Sequence, residues 1–362
     1  MRVVIAGGGT GGHLFPGMAV ARALKTRVPG ADISFAGTAA GIEARVLPAT
    51  GFELDVIRSG GLKGKSAVAL IRGLGLLPLS GLDAWRLLAR RQPDVVVGVG
   101  GYSSGPVVGI AAARGIPTLL LEQNAVPGIT NRLLAPLVSA AAVTHESSLA
   151  HFGRKGFVSG NPVRQEFLNV DDTAISSSEV RVLIFGGSQG AHAINVAVAE
   201  AAEQLARSGH AQAVSLVCQT GPRDFDMVRE AFQRSGVQGR VERFIDAMDR
   251  EVKEAGLIVS RAGATTLAEI TAAGRPAILI PLPASTDDHQ RRNAEALQEA
   301  GAAEVIEQRN LTGALLADRV LALAGDREKR KRMSAAARRL ARPDAAERIV
   351  DAVIRLAERR AS

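Results

Sequence analysis

One cysteine, one tryptophan and one tyrosine stand in 362 residues. A lone cysteine excludes an intramolecular disulfide framework and any cysteine-built metal site. Cys218 lies in "AVSLVCQTG", an apolar run that reads as a buried strand, so a small core side chain is expected there rather than a nucleophile. Aromatics make up 3% of the chain, too few for stacking platforms along single-stranded nucleic acid. No stretch reaches the roughly 18–20 uninterrupted apolar residues of a spanning helix. The nearest, "AVALIRGLGLLPLSGLDAW" (67–85), is broken by Arg72 and Pro78. A basic-then-apolar leader is also missing, and a reducing cytoplasm is the expected compartment. No histidine has metal-ligand spacing to another histidine or an acid, so no metal site is expected.

What is present is glycine, 39 residues of it, with 46% hydrophobic content and a net charge of +8. The charge favours anionic partners: nucleic acid, an acidic lipid surface or phosphorylated ligands. Many cations fall in "DREKRKRMSAAARRLARP" (326–343), which reads as a solvated helix face. Short β-branched runs alternate with helical patterns in two series, the pattern of parallel sheets covered on both faces. The first opens with "RVVIAGGGTGGH" (2–13) and the second with "RVLIFGGSQGAHAIN" (181–195), each a strand, a glycine turn and a helix start. The polar stretch 160–180, with Pro162, reads as a linker. Two Rossmann-like domains in tandem are therefore expected, 1–164 and 165–343. The segment 344–362, set off by Pro343, is free to pack back on the first. Ligands of open α/β sheets sit beyond the carboxyl ends of the strands, where the glycine loops lie.

Gly7, Gly9 and Gly12 match the G-x-G-x-x-G spacing of a dinucleotide loop. That reading also needs an acid at the end of the second strand to hold ribose hydroxyls. "ISFAG" instead ends in Gly37 and Thr38, with no carboxylate before Glu43. A nicotinamide oxidoreductase is disfavoured. Glycines at a helix start still let N–H groups approach a phosphate closely. Further loops of this kind, "GGYSSGP" (100–106) and "GGSQGA" (186–191), imply more than one phosphorylated group. A non-enzymatic nucleic-acid binder would explain the charge but not the loops.

"GGTGGH" (8–13), "GGYSSGP", "EQN" (122–124), "GNPVR" (160–164), "GGSQGA", "SRAGATTLAE" (260–269) and "DDHQRRNA" (287–294) occur in that order. Together they resemble the bacterial cell-wall glycosyltransferases of family 28, which add N-acetylglucosamine to lipid I to make lipid II. The resemblance implies a GT-B fold, two Rossmann-like α/β domains separated by a deep cleft. It implies UDP-N-acetylglucosamine as donor and undecaprenyl-diphospho-N-acetylmuramoyl-pentapeptide as acceptor. The transfer would be an inverting β1→4 step, with no cofactor and no obligatory metal. Donor contacts would be Thr10, Gly11, Gly12, Asn124, Arg164, Ser188, Ile245, the run Ala264, Thr265, Thr266, Leu267, Ala268 and Glu269, and Gln290. Gly9, Gly101, Tyr102, Ser103, Ser104 and Gly105 would face the acceptor diphosphate. Ser103 departs from the family, which has an apolar residue there. Another lipid glycosyltransferase or a UDP-N-acetylglucosamine epimerase of the same fold is the alternative.

The chemistry needs a base for the acceptor C4 hydroxyl. His13 suits it, though it could instead orient a phosphate, and Glu122 competes for the role. Glu269 is expected to hold the ribose hydroxyls, an acid in a helix's first turn being the plainer reading. Ile245 would meet uracil through its backbone. "RDFD" (223–226) holds an Asp-x-Asp, the metal-carrying pattern of another glycosyltransferase fold, but at an apparent helix start capping is expected. A lipid-borne acceptor requires a bilayer surface. "GLKGKSAVALIRGLGLLPLSGLDAWRLLARRQ" (61–92) sets leucines, Ile71 and Trp85 beside Lys63, Lys65, Arg72, Arg86, Arg90 and Arg91. That composition suits peripheral binding to anionic lipid on the cytoplasmic face of the plasma membrane. Contacts with other cell-wall synthesis proteins would fit this place; nucleic acid would not.

Overall fold

The computed structural model describes residues 1–59, 67–168, 170–187, 190–283 and 288–361. It divides into two units, Met1–Arg164 with Arg342–Ser362, and Gln165–Ala341. In unit 1 the strands are β1 (Arg2–Gly7), β2 (Asp32–Gly37), β3 (Glu53–Val56), β4 (Val95–Gly100), β5 (Thr118–Glu122), β6 (Ala140–Val143) and β7 (Gly156–Val158). They form one parallel sheet in the order β3-β2-β1-β4-β5-β6-β7. The "VVVGVG" of β4 is buried at every position, because helices cover both faces of the sheet. One face packs on α1 (Gly11–Arg27) and the C-terminal helix α14 (Ala345–Ala361), whose Ile349, Val350 and Val353 join Leu14, Val20 and Leu24. The other packs on α3 (Ala67–Arg91), through Ala84, Leu87 and Leu88, and on α4 (Ser104–Ala113). Strand order reverses between β1 and β4, so the turns that follow these two strands lie side by side. A doubly wound sheet opens its ligand crevice at such a point.

Unit 2 repeats the plan with β8 (Val180–Phe185), β9 (Val214–Gln219), β10 (Gly239–Glu242), β11 (Leu257–Ser260), β12 (Ala277–Leu279) and β13 (Ala303–Val305). The order β10-β9-β8-β11-β12-β13 is again all parallel and reverses between β8 and β11. The turns there lead into α7 (His192–Arg207) and α10 (Ala264–Ala272). Cys218 is fully buried on β9, and burial pushes its thiol up to about 12, which leaves it inert at neutral pH.

Two expectations need correction. The polar stretch 160–180 is not a free linker beyond residue 164, because arginines hold it to unit 2 by its carbonyls. Arg275 donates to Asp171 O at 3.0 Å, Arg330 to Ile175 O at 3.3 Å and Ser177 O at 3.0 Å, and Arg338 to Val170 O at 2.7 Å. The basic run 326–343 is accordingly not wholly solvated: Arg330, on α13 (Arg327–Leu340), is buried, with Nη1 also donating to Leu323 O at 2.8 Å. Main-chain acceptors carry no mark in a sequence, so nothing there distinguishes Arg330 from its solvated neighbours.

Candidate active site

In unit 1 the chain leaves β1 through Gly7, Gly8 and Gly9, all at positive φ, and Thr10 takes the N-cap position of α1. An acid of the chain fills the turn. Glu43, buried on the short helix α2 (Ile42–Val46), reaches back to it. Its Oε2 accepts from the Gly9 N–H at 2.7 Å, and Oε1 accepts from the Thr38 N–H at 2.8 Å and the Thr38 hydroxyl at 3.0 Å. A Cβ at Gly8 would lie 2.5 Å from this carboxylate, and one at Gly41 would collide with it. The Gly9 N–H therefore faces Glu43, and an incoming anion would compete for it. Sequence reasoning passed over Glu43 as standing too far beyond β2. The available signal was an acid spaced closely after Gly37 and Gly41.

His13 is partly buried in the first turn of α1, with Nδ1 3.2 Å from Thr10 Oγ1. Its ring lies against the end of β4, where a Cβ on Gly100 would stand 2.7 Å from the imidazole Cδ2. Burial pushes this imidazole below its ordinary pKa, opposed by a bond to the Gly8 backbone and by the negative charge of Glu43. The neutral ring is the form that can take a proton.

The β4–α4 turn divides. Tyr102 is exposed, and its carbonyl accepts from the Ser59 hydroxyl at 2.8 Å. Gly101 is partly exposed at φ +82°, and Gly105 lies in the first turn of α4. Ser103 and Ser104 turn into the fold; Ser103 is 2% exposed, so the expected departure to a polar residue falls on a buried position. The Ser104 hydroxyl is buried with no hydrogen-bond partner among the described residues.

Glu122 ends β5, buried and fully occupied. Oε1 accepts from the Asn124 N–H at 2.9 Å and Nδ2 at 3.2 Å; Oε2 accepts from the Gly128 N–H at 2.9 Å and Asn131 Nδ2 at 2.8 Å. Burial raises its pKa against those bonds. This carboxylate closes the loop 123–128 and orients Asn124. The guanidinium of Arg164 stacks on Phe15, 4.5 Å from the ring centroid, which brings it to the helix that carries His13.

In unit 2 Ser188 lies outside the described residues, as do Lys63 and Lys65 of unit 1. Gln219, at the end of β9, donates Nε2 to Gly187 O at 2.9 Å and accepts the Ile245 N–H at 2.8 Å. A uracil contact through that N–H would have to displace Gln219, a residue missed in the sequence. Along α10, Ala264, Thr266, Ala268 and Glu269 are partly exposed, whereas Thr265 and Leu267 are buried. Glu269 is the sixth residue of the helix, and the first turn holds no acid. The plain reading of a first-turn acid is thereby removed. Gln290 lies in the first turn of α11 (His289–Glu299), and its Oε1 accepts the Leu282 N–H at 3.1 Å. The capping expectation at "RDFD" also fails at Asp224. Its carboxylate takes His192 Nδ1 at 2.9 Å and Asn195 Nδ2 at 2.8 Å instead of a helix N–H, while Asp226 pairs with Arg229.

Residues 3–143 match the glycosyltransferase family 28 N-terminal domain, and residues 181–349 match its C-terminal domain. The chain belongs to glycosyltransferase family 28. It is 47% identical over 362 residues to the UDP-N-acetylglucosamine--N-acetylmuramyl-(pentapeptide) pyrophosphoryl-undecaprenol N-acetylglucosamine transferase of Anaeromyxobacter sp. (strain K), covering 99% of this chain and 94% of that one. The transferase of the same name from Geobacter sulfurreducens is 43% identical, covering 98% of each chain. Among solved structures, MurG from Acinetobacter baumannii superposes with a TM-score of 0.74 at 30% identity, covering 98% of this chain and 99% of that one. The two parallel-sheet units are thus the GT-B plan of this family.

Proposed function

We propose that this chain moves N-acetylglucosamine from UDP-N-acetylglucosamine to the C4 hydroxyl of the N-acetylmuramoyl sugar of lipid I, giving lipid II and UDP. The observation that carries this reading is 47% identity across 99% of the chain to a relative named for that transfer. In unit 1, His13 takes the proton of the C4 hydroxyl as O4 bonds to the donor C1. The C1–O bond to the diphosphate breaks, its electron pair leaves with UDP, and attack from the opposite face inverts C1. His13 is favoured over Glu122 because every acceptor position of Glu122 already holds a donor. Thr10, Gly11 and Gly12 open α1 with no acid in its first turn, which suits a diphosphate. Glu269, partly exposed beside the β8/β11 reversal, accepts the ribose hydroxyls. The start of α7 balances the charge that develops on UDP.

The lipid-borne acceptor calls for a membrane face, and unit 1 supplies one. Leu79, Leu82 and Trp85 of α3 are exposed, as are Ile129, Leu133 and Leu137 on and after α5 (Ile129–Leu134). Both helices flank α4, with Arg86, Arg90 and Arg132 exposed among these side chains. An apolar face rimmed by cations binds anionic lipid peripherally, at the cytoplasmic leaflet where the nucleotide donor is made available. Among the described residues no helix is long and apolar enough to cross a membrane. The test is transfer of radiolabelled N-acetylglucosamine from its UDP donor to a short-chain lipid I analogue. Label should appear in the lipid product. Folded protein that leaves intact substrates unconverted would defeat the reading.

A further inference from the structure

Glu43 is a buried carboxylate that contacts no surface and that the reaction as described does not use. It is nonetheless the best-connected acid in the neighbourhood of His13. Its three hydrogen-bond donors among the described residues, the Gly9 N–H, the Thr38 N–H and the Thr38 hydroxyl, are all neutral. Burying a carboxylate against neutral donors alone is an expensive way to brace a turn, and an apolar side chain would brace it at less cost. The connection runs onward. Gly9 precedes Thr10, whose carbonyl accepts the N–H of His13 at 3.2 Å and of Leu14 at 3.1 Å, and whose hydroxyl meets His13 Nδ1.

We propose that Glu43 is a positioning residue for the transfer: by gathering the Gly9 and Thr38 donors onto one carboxylate, it sets the glycine turn and so holds His13 against Gly100. The two oxygens are both needed, since donors arrive at each. An amide would present an NH2 group to one of them. The charge acts as well as the shape. The groups facing His13 are Glu43 from α2, Thr10 and Gly8 from its own turn, and Gly100 from β4. Arg45 of α2 is exposed, Arg164 stacks on Phe15 further along α1, and the Arg27–Asp351 pair with α14 lies at the far end of that helix. Glu43 is therefore the one acid in this set, and its charge favours the protonated imidazole against burial.

The inference rests on His13 as the proton acceptor, and the experiment separates the two. Glu43→Gln and Glu43→Asp are compared with the parent protein for kcat, donor KM and the pH dependence of kcat/KM. The His13 ring is titrated by NMR in histidine-labelled protein without substrate. Glu43→Gln should lower kcat about tenfold to a hundredfold, the usual penalty of a misplaced reacting group, with donor KM within about twofold. Loss of the negative charge should move both the acid limb and the His13 titration to lower pH. Glu43→Asp keeps the charge, so it should return the titration toward the parent while kcat stays low. A folded Glu43→Gln with parental kcat, or with an unmoved His13 titration, would overturn the role. Should Glu43→Gln fail to fold, Thr38→Val removes the hydroxyl donor alone and should lower kcat by about twofold to tenfold. Thr38→Ser should restore it, and an unchanged kcat in Thr38→Val overturns the proposal. Absence of transfer by the parent protein would instead defeat the proposed function, leaving the titration as the measure of the Glu43–His13 coupling.

Discussion

The two glycine turns read almost alike, "RVVIAGGGTGGH" (2–13) against "RVLIFGGSQGAH" (181–192), and each ends in a histidine. The fold puts those histidines in opposite surroundings. His13 is partly buried against Gly100, touches a hydroxyl, and is pushed toward its neutral form. His192 is 53% exposed at the side chain, and its Nδ1 lies 2.9 Å from Asp224, which is held below the usual carboxylate range. At Asp224 burial alone would raise the pKa, and the bonds from Asn195 and His192 outweigh it. The glycines differ in purpose too. In unit 1 Gly8 admits the Glu43 carboxylate and Gly7 the main chain of Gly100, whereas in unit 2 Gly190 admits main chain from Thr220. A repeated motif thus fixes the backbone path and leaves the chemistry to whatever the next element brings.

Exchange of the two histidines is the sharpest way to break this contrast. His13→Ala should lower kcat by about a hundredfold to ten-thousandfold, the span of general-base catalysis, with donor KM little changed. His192→Ala should stay within about tenfold of the parent in kcat. Equal losses in steady-state assays at pH 7.5 would erase the distinction. The acid limb of the parent kcat/KM profile should fall below the ordinary imidazole range, since burial lowers the His13 pKa and the base works only when unprotonated. Next in size, Glu269→Ala should raise donor KM about tenfold or more, through loss of charge-assisted bonds to the ribose, with kcat nearly kept. A fall in kcat at unchanged KM would move Glu269 out of the ribose site.

Much of this arrangement was legible in the residues. Short runs such as "VVVGVG" announce strands covered on both faces, and two glycine turns at like positions announce two doubly wound sheets. Four of the seven motifs, "GGTGGH", "GGYSSGP", "GGSQGA" and "SRAGATTLAE", follow the strands between which strand order reverses, whereas "EQN", "GNPVR" and "DDHQRRNA" follow β5, β7 and β12. What stayed hidden were partners brought in by long-range packing. Glu43 reaches a turn 34 residues earlier, and Gln219 takes the N–H of Ile245 from 26 residues away. The occupied oxygens of Glu122 could not be read from residue types either, because they show only once the donors around it are counted. Arg275 and Arg330 were equally silent, since their acceptors are main-chain carbonyls.

The smallest expected effect isolates what the unit 2 glycines are for. Gly187 and Gly190 both lie at positive φ, +104° and +76°, but only Gly190 has something in the way: an added Cβ would collide with the Thr220 carbonyl. Around Gly187 nothing among the described residues stands within 4 Å of that position. Gly187→Ala should therefore carry only the left-handed backbone penalty, about 1–2 kcal/mol. Gly190→Ala must also move main chain at the end of β9, and should lose about 3 kcal/mol or more. Urea unfolding read in unit 2 gives both values. The Thr220 contact accounts for the difference only if Gly190→Ala is clearly the weaker protein. Equal losses would mean that φ alone demands glycine in this turn, and the contrast with the acid-filled turn of unit 1 would narrow to its histidine.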